Sequence, residues 1–259
     1  VLKKRLIFTL LWDNGQFVLS RNFRRQKVGD LRWLQRHYDF TNVSRFIDEL
    51  IVLNVSRPVD SDAFAEMLKA LTQGCFVPIA AGGGIRESAD AKLLLRSGAD
   101  KVVVNTALFT APPLVESLSV EYGRQCVVGS VDFKKLPQGG FGAFVECGSR
   151  PVSLSGEEVF QHLARLPIGE VYLNSMDRDG TGFGYDFELL EQAAPVLPQP
   201  IVMAGGVGNA MHLEAALTDA RVSAAATAHL FNFVGDGLAK ARQHIVARGH
   251  LLASWPDQV

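Results

Sequence analysis

The sequence predicts an α/β fold, a closed (β/α)8 TIM barrel made of two similar half-barrels. Three observations lead there. Short Val/Ile-rich runs alternate with amphipathic segments along the chain, there are eight such units, and the second four resemble the first four at a nearly constant offset. The length agrees: 259 residues, 47% hydrophobic and 20% charged, suit a barrel of about 250 residues folding as one unit. One domain over residues 1–259 is expected.

The apolar runs are Arg5–Leu11, Glu49–Asn54, Val77–Ala81, Lys101–Asn105, Cys126–Asp132, Glu170–Asn174, Ile201–Ala204 and Val222–Ala226. Continuous apolar runs mark strands covered on both faces. Between them, helical spacing predicts helices over Ser61–Thr72, Ser88–Ser97, Pro113–Tyr122, Gly156–Leu166, Asp186–Ala194, Met211–Leu217 and Gly235–Ala247. Crossover helices make successive strands parallel, and eight such units close a barrel. An open doubly wound sheet is the alternative. Its glycine-rich turn follows the first strand, whereas the glycine-rich turns here come later.

The repeat has three anchors. "PIAAGGGI" at 78–85 matches "PIVMAGGVG" at 200–208, "NTALF" at 105–109 matches "TAHLF" at 227–231, and "DELIVLN" around Glu49 matches "IGEVYLN" around Glu170. The offset is 121 or 122 residues each time, as two halves of four units would give. Two segments stand outside the pattern. Arg21–Asp30 reads as a basic loop, long for its position, and Gly139–Ser153 as an inserted hairpin after the fifth run. Both would lie at the barrel mouth, and each alone also fits a solvated surface loop.

A net charge of −1 gives no support to nucleic-acid binding. No run approaches the roughly 18 apolar residues of a membrane span. The opening "VLKKRLIFTLLWDNG" is charged and then apolar, but the run is short and no small-residue cleavage site follows, so it does not read as a secretion signal. Cys75, Cys126 and Cys147 lack metal or redox spacing, and the six histidines lack ligand spacing, with only His229 at the predicted mouth. No metal and no cofactor are expected, and the setting is expected to be cytoplasmic.

"AGGGIRES" (81–88) follows a strand and opens a helix, and "AGGVGNA" (204–210) repeats the design. Glycines let backbone N–H groups approach an anion, and a helix N-terminus adds partial positive charge. With "NTALF" and "TAHLFN" after the neighbouring strands, the two halves predict two phosphate sites facing each other across the mouth. Glycines that only relieve tight turns are the simpler reading. "NSMDRDGTGFGYD" (174–186) gathers Asp177, Asp179 and Thr181 into one mouth loop. It lacks the closing glutamate of a calcium loop, and ligand positioning fits better. Asp132 ends the fifth run and is a candidate general acid or base; a turn or capping aspartate is the alternative. Alternation puts Val128, Ser130 and Asp132 on one face and Val127, Gly129 and Val131 on the other, leaving open which faces inward. Arg5, Glu49, Lys101 and Glu170 each begin an apolar run. They would pair into a ring closing the lower end, or remain four independent solvated strand ends.

The stretches "KKRLI", "NGQFV", "DELIVL", "GGGI", "GADKVVVNTA", "VVGSVD", "SMDRDGTGFGYD" and "AGGVG" resemble, in this order, the HisF family, the cyclase subunit of imidazole glycerol phosphate synthase. The resemblance implies a HisH-type glutaminase as heterodimer partner and ammonia passing up the barrel through a gate formed by Arg5, Glu49, Lys101 and Glu170. It also implies a phosphorylated small-molecule substrate. Contacts to it would come from Gly83, Gly84, Asn105, Thr106, Asp179, Gly180, Thr181, Gly205, Gly206, Ala228 and His229, and Asp132 would be catalytic.

The family pattern is incomplete here. Its first-strand aspartate falls on Leu11, its loop lysine on Leu19 and its second-strand aspartate on Asn54. Asp13 lies two residues beyond Leu11, about 6.6 Å further along a strand. "LLWDNGQFVLSRNFRRQKVGDL" resembles the WbuZ-type, glycosyl-amidation branch of the family, associated with surface polysaccharide (lipopolysaccharide O-antigen) biosynthesis. That resemblance implies conversion of a sugar nucleotide's acetamido group to an acetamidino group, with the glutaminase and a separate ATP-using amidotransferase-like enzyme. Arg21, Arg24, Arg25 and Lys27 would close over the anionic ligand. Two other readings stay open: an authentic cyclase of histidine biosynthesis, and a non-catalytic scaffold that activates the glutaminase.

Overall fold

A computed structural model describes residues 3–38, 44–228 and 236–252. Its strands are β1 (Arg5–Asp13), β2 (Gln16–Arg21), β3 (Arg24–Gly29), β4 (Glu49–Asn54), β5 (Ile79–Gly82), β6 (Lys101–Val104), β7 (Val127–Lys135), β8 (Phe141–Val145), β9 (Arg150–Pro151), β10 (Glu170–Ser175), β11 (Ile201–Ala204) and β12 (Val222–Thr227). Its helices are α1 (Leu31–Tyr38), α2 (Ser61–Thr72), α3 (Ser88–Arg96), α4 (Thr106–Thr110), α5 (Pro112–Tyr122), α6 (Gly156–Arg165), α7 (Phe187–Ala193), α8 (Ala210–Thr218) and α9 (Gly237–Ala247).

Eight strands pair in parallel around a closed ring, in the order β1, β4, β5, β6, β7, β10, β11, β12 and back to β1. The fold is the (β/α)8 barrel the sequence predicts. Closure leaves no edge in the ring itself. Each strand buries both faces. On β1, Leu6, Phe8 and Leu10 join the outer core under the helices, while Ile7 belongs to a separate inner cluster. That inner cluster combines Ile51, Val103, Val128, Tyr172 and Val202 with the small residues Ala80, Ala204, Ala224 and Ala226.

The helices start where their sequences provide caps. Asp60 accepts the Ala63 N–H at 2.9 Å ahead of α2, and Ser155 with Glu158 forms a reciprocal capping box ahead of α6. On α2, Phe64, Ala65, Leu68 and Leu71 are buried, the stripe expected of an amphipathic helix on a barrel.

The two halves correspond. Strands β4, β5 and β6 take the same places as β10, β11 and β12, and both β1 and β7 run on into antiparallel extensions. Two expectations need correction. Arg21–Asp30 is not a loop. Asn14–Gly15 turns β1 into β2, Asn22–Phe23 turns β2 into β3, and all four residues have positive φ, as two-residue hairpin turns require. Asp132 does not end its strand either, because β7 continues to Lys135 and pairs with β8. The insert expected at Gly139–Ser153 contains the β8–β9 hairpin. Among the described residues no helix is long and apolar enough to cross a membrane.

Candidate functional site

The C-terminal ends of the strands surround a cavity of about 660 Å³. Two glycine turns bound it. Gly83, after β5, has φ +104°, and a Cβ there would lie 2.0 Å from the Asn54 carbonyl oxygen. Gly205, after β11, has φ +87°, and its Cβ would lie 2.7 Å from the Ser175 carbonyl oxygen. Asn54 and Ser175 end β4 and β10, so the same close approach occurs in each half. Only glycine fits both the conformation and the space. Gly83, Gly84, Asn105 and Thr106 line one side of the cavity, and Gly205, Gly206 and Ala228 another. Asn105 donates to the Ser130 carbonyl at 2.9 Å, fixing the end of β6 against β7.

Val128, Ser130 and Asp132 face the interior: Val128 belongs to the inner cluster, and the other two line the cavity. Asn174 is the register partner of Asp132 and donates its amide to the carboxylate at 2.8 Å. Burial pushes the Asp132 pKa up to about 6; the Asn174 hydrogen bond pulls it down and the nearby Asp179 charge pushes it up again. A carboxyl titrating there can give or take a proton near neutrality, as general acid–base chemistry requires.

The matching place in the other half is apolar. Leu11 pairs in register with Leu53 as Asp132 pairs with Asn174. Both leucines, with Leu19, line the cavity. Asp13 does not replace Leu11: it is absent from the cavity wall and accepts from Arg25 at 3.0 Å. One half of the mouth thus holds Asp132 with its amide partner Asn174, and the matching place across the two-fold is an apolar wall.

Asp179 performs a task that the sequence reading did not foresee. The Ser20 hydroxyl and the Phe23 N–H donate to its Oδ2 at 2.5 and 2.9 Å, and the Asn22 N–H donates to its carbonyl at 3.0 Å. The tip of the β2–β3 hairpin is thereby docked against the β10–α7 loop. Of its cations only Arg25 lines the cavity; Arg21 and Arg24 border a separate hollow that Arg25 also reaches, and Lys27 lines neither. Hydrogen bonds to a charged acceptor each contribute about 1.5–3 kcal/mol. Asp179→Ala is therefore expected to raise trypsin cleavage after Arg21, Arg24 or Arg25 by roughly tenfold or more, read by timed digestion and peptide mass. Unchanged cleavage would mean the hairpin is held by other contacts.

At the opposite end the four charges meet. Arg5 bonds Glu49 at 2.6 Å and also bonds Glu170, while Lys101 bonds Glu49 at 2.9 Å and Glu170 at 2.8 Å. The carboxylates are almost wholly buried, and the cations keep about a fifth of their surface in water, 23% for Arg5 and 21% for Lys101. Burial works against the ionised Glu170, but Arg5 and then Lys101 hold its carboxyl below the usual range. Desolvation likewise opposes the Arg5 charge, and the two glutamates overcome it. Strand alternation explains the ring, since Arg5 shares an inward face with Ile7, and Glu170 with Tyr172.

Of the other residues singled out from sequence, Gly180 lines the cavity. Thr181 does not, since its hydroxyl donates to the Arg178 carbonyl at 2.8 Å. His229 lies outside the described residues. The cavity also takes in Arg57, Arg86, Arg150 and Cys147, which sequence reasoning passed over. Their signal was weak, because they sit in turns and an insert without periodicity. Asn174 was within reach: it stands two alternations after Glu170 on the same face. Among the described residues no group of three His, Cys, Asp or Glu could hold a metal ion.

Comparison with known proteins gives two findings. A family model described as "Histidine biosynthesis protein" matches residues 13–235. The chain is 46% identical over 256 residues to the "Putative imidazole glycerol phosphate synthase subunit hisF2" of Parasynechococcus marenigrum (strain WH8102), covering 98% of this chain and 95% of that one.

Proposed function

The chain belongs to the histidine biosynthesis protein family, and within it to the HisF type; from that premise we propose that it is the ammonia-accepting barrel of a glutamine-dependent complex that amidates a nucleotide sugar. In this reading a HisH-type glutaminase docks under the charge ring and releases ammonia into the lumen. The glycine turns hold the phosphates of the substrate at the mouth. Ammonia adds to the acetamido carbon, whose oxygen leaves after activation by a separate ATP-using amidotransferase. Asp132 takes a proton from the incoming nitrogen, and Asn174 keeps its carboxylate aimed.

The observation that carries the reading is that Leu11, in register with Leu53, stands where the other half places Asp132 beside Asn174. Imidazole ring closure, as the family resemblance implies it, uses two acid–base groups on one substrate. A single nucleophilic substitution at an acyl carbon needs one. A positioned acid or base contributes roughly 10²- to 10⁴-fold, so losing one of two is a large deficit for a cyclase and none for an amidation.

A second reading has its own support. The relative from Parasynechococcus is named as an imidazole glycerol phosphate synthase subunit, and this chain would then be a cyclase working through Asp132 alone. Complementation separates the two. Expressed with its glutaminase in a strain lacking the cyclase subunit, the chain is expected not to restore growth without histidine. Incubated with glutaminase, ATP-using partner, glutamine and UDP-N-acetyl sugars, it is expected to give a product in which one oxygen is exchanged for NH, read by mass spectrometry. Growth without histidine would overturn the amidation reading.

A further inference from the structure

We propose that Tyr172 is an internal stop of the barrel lumen, latched shut by Thr9, which must swing aside before a small molecule entering at the charge ring can reach Asp132. The passage itself rests on the reading above; the stop rests on geometry alone.

On β10 the inward residues are, in order, Glu170, Tyr172 and Asn174. Tyr172 therefore stands between the ring below and the partner of Asp132 above. With Val103 and Ala226 it belongs both to the inner cluster and to the wall of the mouth cavity, whereas Ile7, Ile51, Ala80, Val128 and Ala224 belong to the cluster without reaching the cavity. The floor of the cavity consequently lies at the level of these three residues, and Tyr172 is the largest of them. Ala80 and Ala224, in register with Lys101 and Arg5, mark the level of the ring beneath it.

The Tyr172 side chain reaches across the interior. Its hydroxyl lies 3.1 Å from that of Thr9 on β1, although β11 and β12 separate β10 from β1 around the ring. Tyr172 is 5% exposed and Thr9 2%. At the equivalent place in the other half, 121 residues earlier, stands Ile51, which has no hydroxyl to latch. Around the ring the lumen is lined in part by the small side chains of Ala80, Ala204, Ala224 and Ala226. Burial, above all, keeps the tyrosine hydroxyl protonated well beyond its usual range, so the latch is one neutral hydrogen bond, strong enough to bias the closed state and weak enough to open.

The test places a reporter below the stop and reaches it from the mouth, because the paired charges of the ring close the lower end to a reagent larger than ammonia. Ala224→Cys is introduced, and its modification by methyl methanethiosulfonate is followed by peptide mass, with the native cysteines read as separate peptides. With Tyr172 present the reporter should be slow. Tyr172→Phe and Thr9→Val should each speed it roughly two- to tenfold, the range one neutral hydrogen bond allows. Together they should do no more than either alone, because both remove the same bond. Tyr172→Ala should exceed them, with circular dichroism confirming the fold. Equal labelling in all variants, fast or slow, or full additivity of the two conservative changes, overturns the proposal. A further arm separates the stop from the passage: in the complex with glutaminase, Tyr172→Ala should alter the ratio of glutamine-driven to ammonium-driven product. If labelling responds and this ratio does not, the stop stands and the passage reading fails.

Discussion

Asp132→Asn is expected to lower product formation by the full complex by about 10²- to 10⁴-fold, the contribution of one positioned acid or base. KM for the phosphorylated substrate should stay within a few-fold, because the glycine turns that would bind it are untouched. Asparagine preserves the shape and the contact to Asn174 while removing the titration. The parent rate should climb with pH through about 6, where the carboxyl ionises, and the residual rate of the variant should lose that inflection. Unchanged product formation would leave the scaffold reading in place, with chemistry carried out by another subunit.

The same substitution has a second, opposite consequence. Burial raises the folded pKa of Asp132 to about 6 from an ordinary value of 3.8. The folded protein therefore binds this proton more tightly than the unfolded chain. That favours folding fully below the unfolded pKa, and the benefit is lost as pH rises through the folded one. At neutral pH the ionised carboxylate costs on the order of 2–3 kcal/mol, from about 1.4 kcal/mol per pKa unit. Asp132→Asn should thus be the more stable protein in urea titrations at pH 7.5, with the difference closing below pH 4. Stability gained where turnover is lost is the expected mark of a group kept for chemistry.

Much of this was legible in the sequence because barrels write their fold in repeats. Eight apolar runs, each buried on both faces, announced the ring, and the 121-residue offset announced its two halves. The ring of charges was legible because a cation or carboxylate opening an apolar run has few places to go. What was hidden is what period and offset do not encode. Val128, Ser130 and Asp132 alternate with Val127, Gly129 and Val131 in a run buried on both faces, so hydrophobicity gave no direction for inward. The hairpin at Asn14–Gly15 was missed although its turn residues are explicit, because a charged stretch with Arg21, Arg24 and Arg25 reads as loop when its neighbour strand is not considered. Asp179 reads as a ligand contact when the loop is taken alone; its grip on Ser20 and Phe23 spans more than 150 residues.

Lys101→Met is expected to destabilise the base of the barrel strongly. It leaves Glu49 and Glu170, both almost wholly buried, sharing Arg5 alone. Breaking a buried ion pair by removing one partner costs about 3–5 kcal/mol, and the lower end applies here because Lys101 keeps some contact with water. For a chain of this size that lowers Tm by on the order of 5–10 °C. The sign with pH is fixed by Glu170, whose carboxyl Arg5 and Lys101 hold below its ordinary 4.5. A depressed carboxyl stabilises the fold above its unfolded pKa and loses that contribution as pH falls through the folded value. The gap between parent and variant should therefore be wide at pH 7 and narrow as pH falls below 4.5 and through the depressed value of Glu170. Replacing all four members with Met and Leu removes both the charges and the need to pair them, and should bring stability back to within about 1–2 kcal/mol of the parent. Under the amidation reading it should not restore glutamine-driven product, while turnover with added ammonium persists. Recovery of both would reduce the ring to a structural plug, and ammonia would have to reach Asp132 by another route.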